Sequence, residues 1–167
     1  TETSLKGLRL LYVTPLRAMT KDLELALKDP FEASDVRILA RNGDTSAKDR
    51  ASLFRKPPHI LMTTPESLSV ILSSPKSIDL FSTLESIVVD EWHDLLSSKR
   101  GVQMSLCLSR LMRLSKHPTI TGISATIQDP YMALEALLPN GVAGQLTRAD
   151  IDRTITLSIA ESTKDSR

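Results

Sequence analysis

The chain has one cysteine, few aromatics, no long apolar run and almost no net charge, and each shortage closes a class of explanation. With Cys107 as the single cysteine among 167 residues, no internal disulfide can form. A disulfide-stapled secreted scaffold is excluded, and a reducing compartment fits. Cys107 falls within a helical apolar pattern and is expected to be a buried core thiol. No apolar stretch is long enough to cross a bilayer as a helix, and the first residues lack the apolar segment of a signal peptide. The expected setting is therefore soluble and cytoplasmic, with no membrane partner. Lys and Arg number 21 against 20 Asp and Glu. That balance excludes a wholesale polyanion binder and confines any nucleic-acid contact to a local patch. None of Gly7, Gly43, Gly101, Gly122, Gly141 or Gly144 is followed by lysine. These residues thus lack the glycine-rich loop, closed by Lys and Ser or Thr, that cradles nucleotide phosphates.

What is present is the makings of one globular domain: 41% hydrophobic and 25% charged residues, enough for a core. Short apolar runs alternate with amphipathic stretches. Strands are predicted at Leu8–Thr14, Val36–Ala40, His59–Thr63, Leu84–Val89 and Thr119–Ser124. Helices are predicted at Leu16–Leu27, Ser46–Phe54, Pro65–Leu72, Val102–Leu114 and Tyr131–Leu138. Ser46 is a candidate cap, Asn42-Gly43-Asp44 marks a turn, and Pro65 suits a first helical turn, where no amide partner is lost. Strands apolar on both faces, alternating with helices, imply a parallel sheet covered by helices. Thr154–Ala160 alternates like an isolated strand that belongs to something following. No internal repeat or low-complexity segment is visible.

Ligands of such sheets bind at the carboxyl ends of the strands, where loops converge and helix starts present amides. The sharpest pattern there is Ile87-Val88-Val89-Asp90-Glu91-Trp92-His93. A buried apolar run delivers two adjacent carboxylates to a strand end. Asp90 is placed to hold a magnesium ion, directly or through water. Glu91 is placed to orient or deprotonate a water attacking a terminal phosphate. Two acids ending an arbitrary strand are more often merely solvated, so context decides. Downstream, Gly122-Ile123-Ser124-Ala125-Thr126 brings two hydroxyl residues to the end of the next strand, within reach of the acidic loop.

Together these segments resemble the first RecA-like domain of superfamily 2 helicases. Asp90 to His93 resembles the Walker B (DExH) motif and Ser124 to Thr126 motif III. Leu11-Tyr12-Val13-Thr14-Pro15-Leu16-Arg17-Ala18 is similar to motif Ia, and Asn42-Gly43-Asp44-Thr45 to the glycine-containing loop that follows it. Thr63-Thr64-Pro65-Glu66-Ser67-Leu68 is similar to motif Ib. Asp90-Glu91-Trp92-His93-Asp94-Leu95-Leu96, followed by Ser98-Lys99-Arg100-Gly101-Val102-Gln103, resembles the large helicase-related (Lhr) family. Trp92 points to its bacterial branch of ligase-associated DExH-box DNA helicases. The resemblance covers Leu8 to Leu138.

It implies a RecA-like α/β domain with helices on both faces of a parallel sheet, incomplete because the phosphate-loop strand and helix would lie upstream of Thr1. Residues 1–150 would be this partial ATP-binding domain, and 151–167 a linker or the start of a second RecA-like domain. The implied activity is ATP-dependent 3′-to-5′ DNA unwinding or translocation in repair. Its cofactors would be ATP and Mg2+, with Asp90 as the metal ligand. Its partners would be single-stranded or partly duplex DNA or an RNA–DNA hybrid, with a DNA ligase or nuclease as a protein partner. Asp90, Glu91 and His93 would be catalytic, and Ser124 and Thr126 would couple to the nucleotide through His93. Thr14, Pro15, Arg17, Gly43, Thr64, Pro65 and Glu66 would hold one strand by its backbone. Lys99 and Arg100 stay without a role.

Competing readings stay open at this stage. Asp90, His93 and Asp94 could in principle build a hydrolase metal site, although His59 and His117 fall at strand starts, on the opposite edge of the sheet. A nucleic-acid or protein docking module without catalysis is another. The resemblance also implies that this chain alone neither hydrolyses ATP nor binds it tightly, and that Thr119–Ser124 presents an unpaired edge.

Overall fold

The computed structural model describes residues 6–31, 34–138 and 142–148. These residues form five strands: β1 (Leu10–Val13), β2 (Ile38–Arg41), β3 (Ile60–Thr63), β4 (Ser86–Val89) and β5 (Thr119–Gly122). Seven helices accompany them among the described residues: α1 (Arg17–Phe31), α2 (Ala47–Arg55), α3 (Pro65–Ser73), α4 (Ser77–Phe81), α5 (Trp92–Leu96), α6 (Lys99–Leu114) and α7 (Pro130–Leu137). The strands make one parallel sheet in the order β2-β3-β1-β4-β5. That is the expected RecA-like class of a parallel sheet with covering helices.

Strand order fixes where the helices go. The step from β1 to β2 runs one way across the sheet, whereas β3 to β4 and β4 to β5 run the other. Right-handed crossovers therefore put α1 on one face and α3 and α6 on the opposite face. The contacts agree, with α1 packing on β2 and β3 while α3 packs on α6.

Burial follows register. Leu11 pairs with Leu61 and Ile87, and Val13 with Thr63 and Val89, so these side chains share one face. That face meets Leu68 and Ile71 of α3 and Met104, Leu108 and Leu111 of α6 in a single core. β3 is buried at all four positions, as a strand covered on both faces should be. β5 is the last strand in the order, and three of its four residues are exposed. A cleft of about 540 Å³ runs along it, lined by Trp92, Ile120, Gly122, Ala133 and Leu137 among others.

Several expectations need adjustment. α1 continues past Leu27 to Phe31 and includes Pro30. α4 and α5 are too short to announce themselves by periodicity. α6 starts at Lys99 rather than Val102, because Ser98 caps it by accepting a bond from the Gly101 amide. β5 stops at Gly122, so Ile123 and Ser124 lie in the loop beyond it. The predicted strand Thr154–Ala160 lies outside the described residues.

Candidate functional site

The ends of β4 and β5 meet in a compact polar cluster. β4 hands over to Asp90, whose amide donates to the Val13 carbonyl at 2.8 Å, extending the pairing with β1 by one step. Side chains alternate along a strand, so Asp90 falls on the Val88 face, and Val88 lies beside Tyr12 in register. The Tyr12 hydroxyl reaches forward and donates to Asp90 Oδ2 at 2.8 Å. Asp90 Oδ1 accepts the Glu91 amide at 2.9 Å. Asp90 as a residue is 6% exposed. Burial, with the bond to Asp90 and its charge, pushes the Tyr12 phenol above the ordinary tyrosine value.

Glu91 then turns the chain. Its φ of 47° and ψ of 44° lie in the left-handed region, a conformation that costs a non-glycine residue about 1–3 kcal/mol. The turn lets α5 begin at Trp92 and swings Glu91 away from Asp90 toward His93. His93 Nδ1 lies 3.3 Å from Glu91 Oε2 and 2.7 Å from Ser124 Oγ, while Nε2 lies 3.3 Å from Asp94 Oδ1. The two loops are also zipped by backbone: Ile123 N donates to Val89 O at 2.8 Å, and Trp92 N to Ile123 O at 3.0 Å. Ser124 Oγ lies 3.3 Å from the Thr126 carbonyl, and Thr126 itself is exposed. A cleft of about 790 Å³ opens here, lined by His93, Ser124, Ala125, Thr126 and Asp129 among others. Trp92 ties α5 to α7: its indole N–H donates to Ala133 O of α7 at 2.8 Å.

A second group of residues surrounds the loops after β1, β2 and β3. Thr14 and Thr64 precede α1 and α3, and both are buried. The Leu16 amide reaches Thr14 Oγ1 at 3.5 Å, and the Ser67 amide donates to Thr64 Oγ1 at 3.4 Å. Their hydroxyls thus serve the helix starts. Pro15 and Pro65 are buried as well, leaving Arg17, Gly43 and Glu66 as the exposed members of the seven. Arg17 Nη1 lies 3.5 Å from Asp44 Oδ1. A Cβ on Gly43 would sit 3.2 Å from Arg17 Cζ, so this glycine leaves room for the guanidinium. Arg100, at the start of α6, bonds to both Glu66 and the Pro15 carbonyl.

Comparison with known proteins decides the family. The profile of the DEAD/DEAH box helicase family matches residues 2–134. The chain belongs to the DEAD/DEAH box helicase family. It is 41% identical over 144 residues to an ATP-dependent helicase Lhr-Core of Methanocaldococcus jannaschii, across 79% of this chain and 17% of that protein. It is 35% identical over 136 residues to the Lhr helicase/uracil glycosylase of Escherichia coli, across 74% of this chain and 9% of that one. Among solved structures, it resembles Mycobacterium smegmatis helicase Lhr bound to ssDNA and AMP-PNP, with a TM-score of 0.74 and 32% identity. That match covers 79% of this chain and 19% of the other. The chain therefore spans less than a fifth of each of these relatives.

In this member of the family, Asp90, Glu91, His93 and Ser124 come together at one strand-end cluster, whereas Thr126 joins it through its carbonyl alone. The seven strand-contact candidates gather at a separate set of loops. His59 and His117 precede β3 and β5, at the other end of the sheet from His93. Two residues that the sequence left without a role prove central to the geometry, Tyr12 and Arg100. Alternation places Tyr12 and Asp90 on one face only once the β1–β4 register is known, and nothing local to Arg100 names its partners.

Proposed function

We propose that the chain is the part of an ATP-driven DNA helicase or translocase that supplies the Walker B acids, motif III and part of the single-strand track. The observation that carries this reading is the continuous contact from Glu91 through His93 to Ser124. It ties the acid suited to activating water to the neighbouring strand end. Glu91 acts as the base or positioning group for the attacking water. His93 holds that carboxylate and passes any displacement of it to Ser124, and Thr126 shapes the far wall of the cleft.

The donor chemistry at Asp90 fits Mg2+. The carboxylate offers oxygen only, and each oxygen keeps a lone pair beyond the bond it already accepts. Among the described residues, no group of three His, Cys, Asp or Glu side chains is placed to hold a metal ion. A cation held here by Asp90 would draw its other ligands from water and phosphate, the habit of magnesium rather than zinc. When bound, the ion would supply positive charge to offset charge developing on the phosphates. Tyr12 and the Glu91 amide keep Asp90 aimed at that position.

Thr14, Pro15, Thr64 and Pro65 act through the helix starts they build, and Arg17, Gly43 and Glu66 form the exposed lip of the track. The M. smegmatis Lhr relative is bound to both ssDNA and AMP-PNP, which supports looking for two ligand regions here. We place the protein in the ligase-associated branch and in the cytoplasm, acting 3′-to-5′ on single-stranded or partly duplex DNA or an RNA–DNA hybrid, with a ligase or nuclease as partner. No helix among the described residues is long and apolar enough to cross a membrane. The test is ATP hydrolysis and strand displacement by the full-length protein on tailed duplexes. Hydrolysis stimulated by single strands, with unwinding from a 3′ tail, is expected. DNA binding without ATP turnover would instead make the protein a docking module.

A further inference from the structure

We propose that Arg100 is a positioning residue that braces the single-strand track, holding the helix start after β1 and the helix start after β3 in fixed register. The inference rests on the strand-track reading above. Arg100 is the second residue of α6. Its Nε donates to Glu66 Oε1 at 2.6 Å, and its Nη2 reaches Glu66 Oε2 at 3.3 Å and the Pro15 carbonyl at 2.8 Å. Those partners are 34 and 85 residues away in sequence, each at the entrance to a helix. Glu66 is the second residue of α3, and Pro15 lies just before α1. One planar guanidinium therefore ties the start of α6 to the starts of α1 and α3, adding a side-chain brace to the backbone link in which Thr14 N donates to Thr63 O at 3.0 Å.

The chemistry calls for arginine. A guanidinium presents a rigid fork that matches a carboxylate and still has a donor for a carbonyl, whereas an ammonium is a single point charge. Burial works to raise the Glu66 carboxyl, but the bond from Arg100, the Glu66 amide and Thr64 outweigh it and hold the group below the ordinary glutamate value. The pair is thus ionised and mutually neutral, so Arg100 brings little free charge to a phosphate. Its contribution is geometric. A half-exposed pair of this kind adds little to global stability, so removing it loosens the loops without unfolding the domain.

The test uses the full-length protein with Arg100→Lys and Arg100→Gln, titrated with fluorescent single-stranded DNA at several salt concentrations. Both variants should bind roughly tenfold more weakly than wild type and about equally to each other. The slope of log affinity against log salt should be unchanged. In DNA-stimulated ATP hydrolysis, the half-saturating DNA concentration should rise by the same factor while the rate at saturating DNA is kept. A Lys variant that binds like wild type would mean that charge alone matters. A Gln variant whose salt slope falls by about one would mean a direct phosphate contact. Either result, wild-type binding by both variants, or a large fall in melting temperature for both overturns the proposal. Failure of the wild-type protein itself to bind single strands would sink the strand-track reading instead, and the same titration reveals it.

Discussion

Asp90 shows how much of a site a sequence can display and how much it hides. An apolar run ending in two acids, one helix ahead of a Ser-Ala-Thr triplet, was legible because both patterns are local. The side-chain donor that holds Asp90 was not, since Tyr12 meets it only through the β1–β4 pairing across 78 residues. Arg100 was hidden for the same reason, and Glu91 adopts a backbone conformation that no propensity favours. Removing the phenol oxygen leaves a buried carboxylate oxygen short of a donor. Tyr12→Phe should lower the unfolding free energy by about 1–3 kcal/mol in a denaturant titration, and an unchanged midpoint would show that this bond holds nothing. Cys107 is a second residue-scale case. Burial pushes its thiol up to about 11, so almost no thiolate exists near pH 8, and access is closed as well. A thiol reagent should label it only after denaturant is added, and rapid labelling of the folded chain would contradict the core placement.

Among the elements, the long periodic helices were readable and the short ones were not. α5 has five residues and exists because Glu91 turns the chain and the Trp92 indole is caught by α7. Neither cause leaves a periodic trace. The join between α5 and α6 carries its own requirement. A Cβ on Gly101 would overlap the Leu95 carbonyl and come within 2.8 Å of its carbon. This glycine is needed for close approach of backbone to backbone, where no flexible side chain can yield. Gly101→Ala should therefore cost about 1–3 kcal/mol in thermal or chemical unfolding, although alanine is ordinarily the better helix residue. A stabilised variant would show that the two helices can part without penalty.

For the molecule as a whole, the parallel sheet was predicted from alternating apolar and amphipathic stretches, and the strand order required the structure. That order brings the ends of β4 and β5 together at the acidic cluster and gathers the loops after β1, β2 and β3 into the proposed track. The two regions are separate, which suits the proposed coupling of hydrolysis at one to grip at the other. α6 touches both accounts, since it follows the acidic loop and carries Arg100. The central claim is that Glu91 performs the water-activating step in an ATP-driven enzyme. It is tested most directly by measuring DNA-stimulated ATP hydrolysis and ATP binding in the full-length protein carrying Glu91→Gln. The account predicts a fall in turnover of roughly 100-fold or more, with ATP and single-strand binding retained. Turnover at the wild-type rate would contradict it.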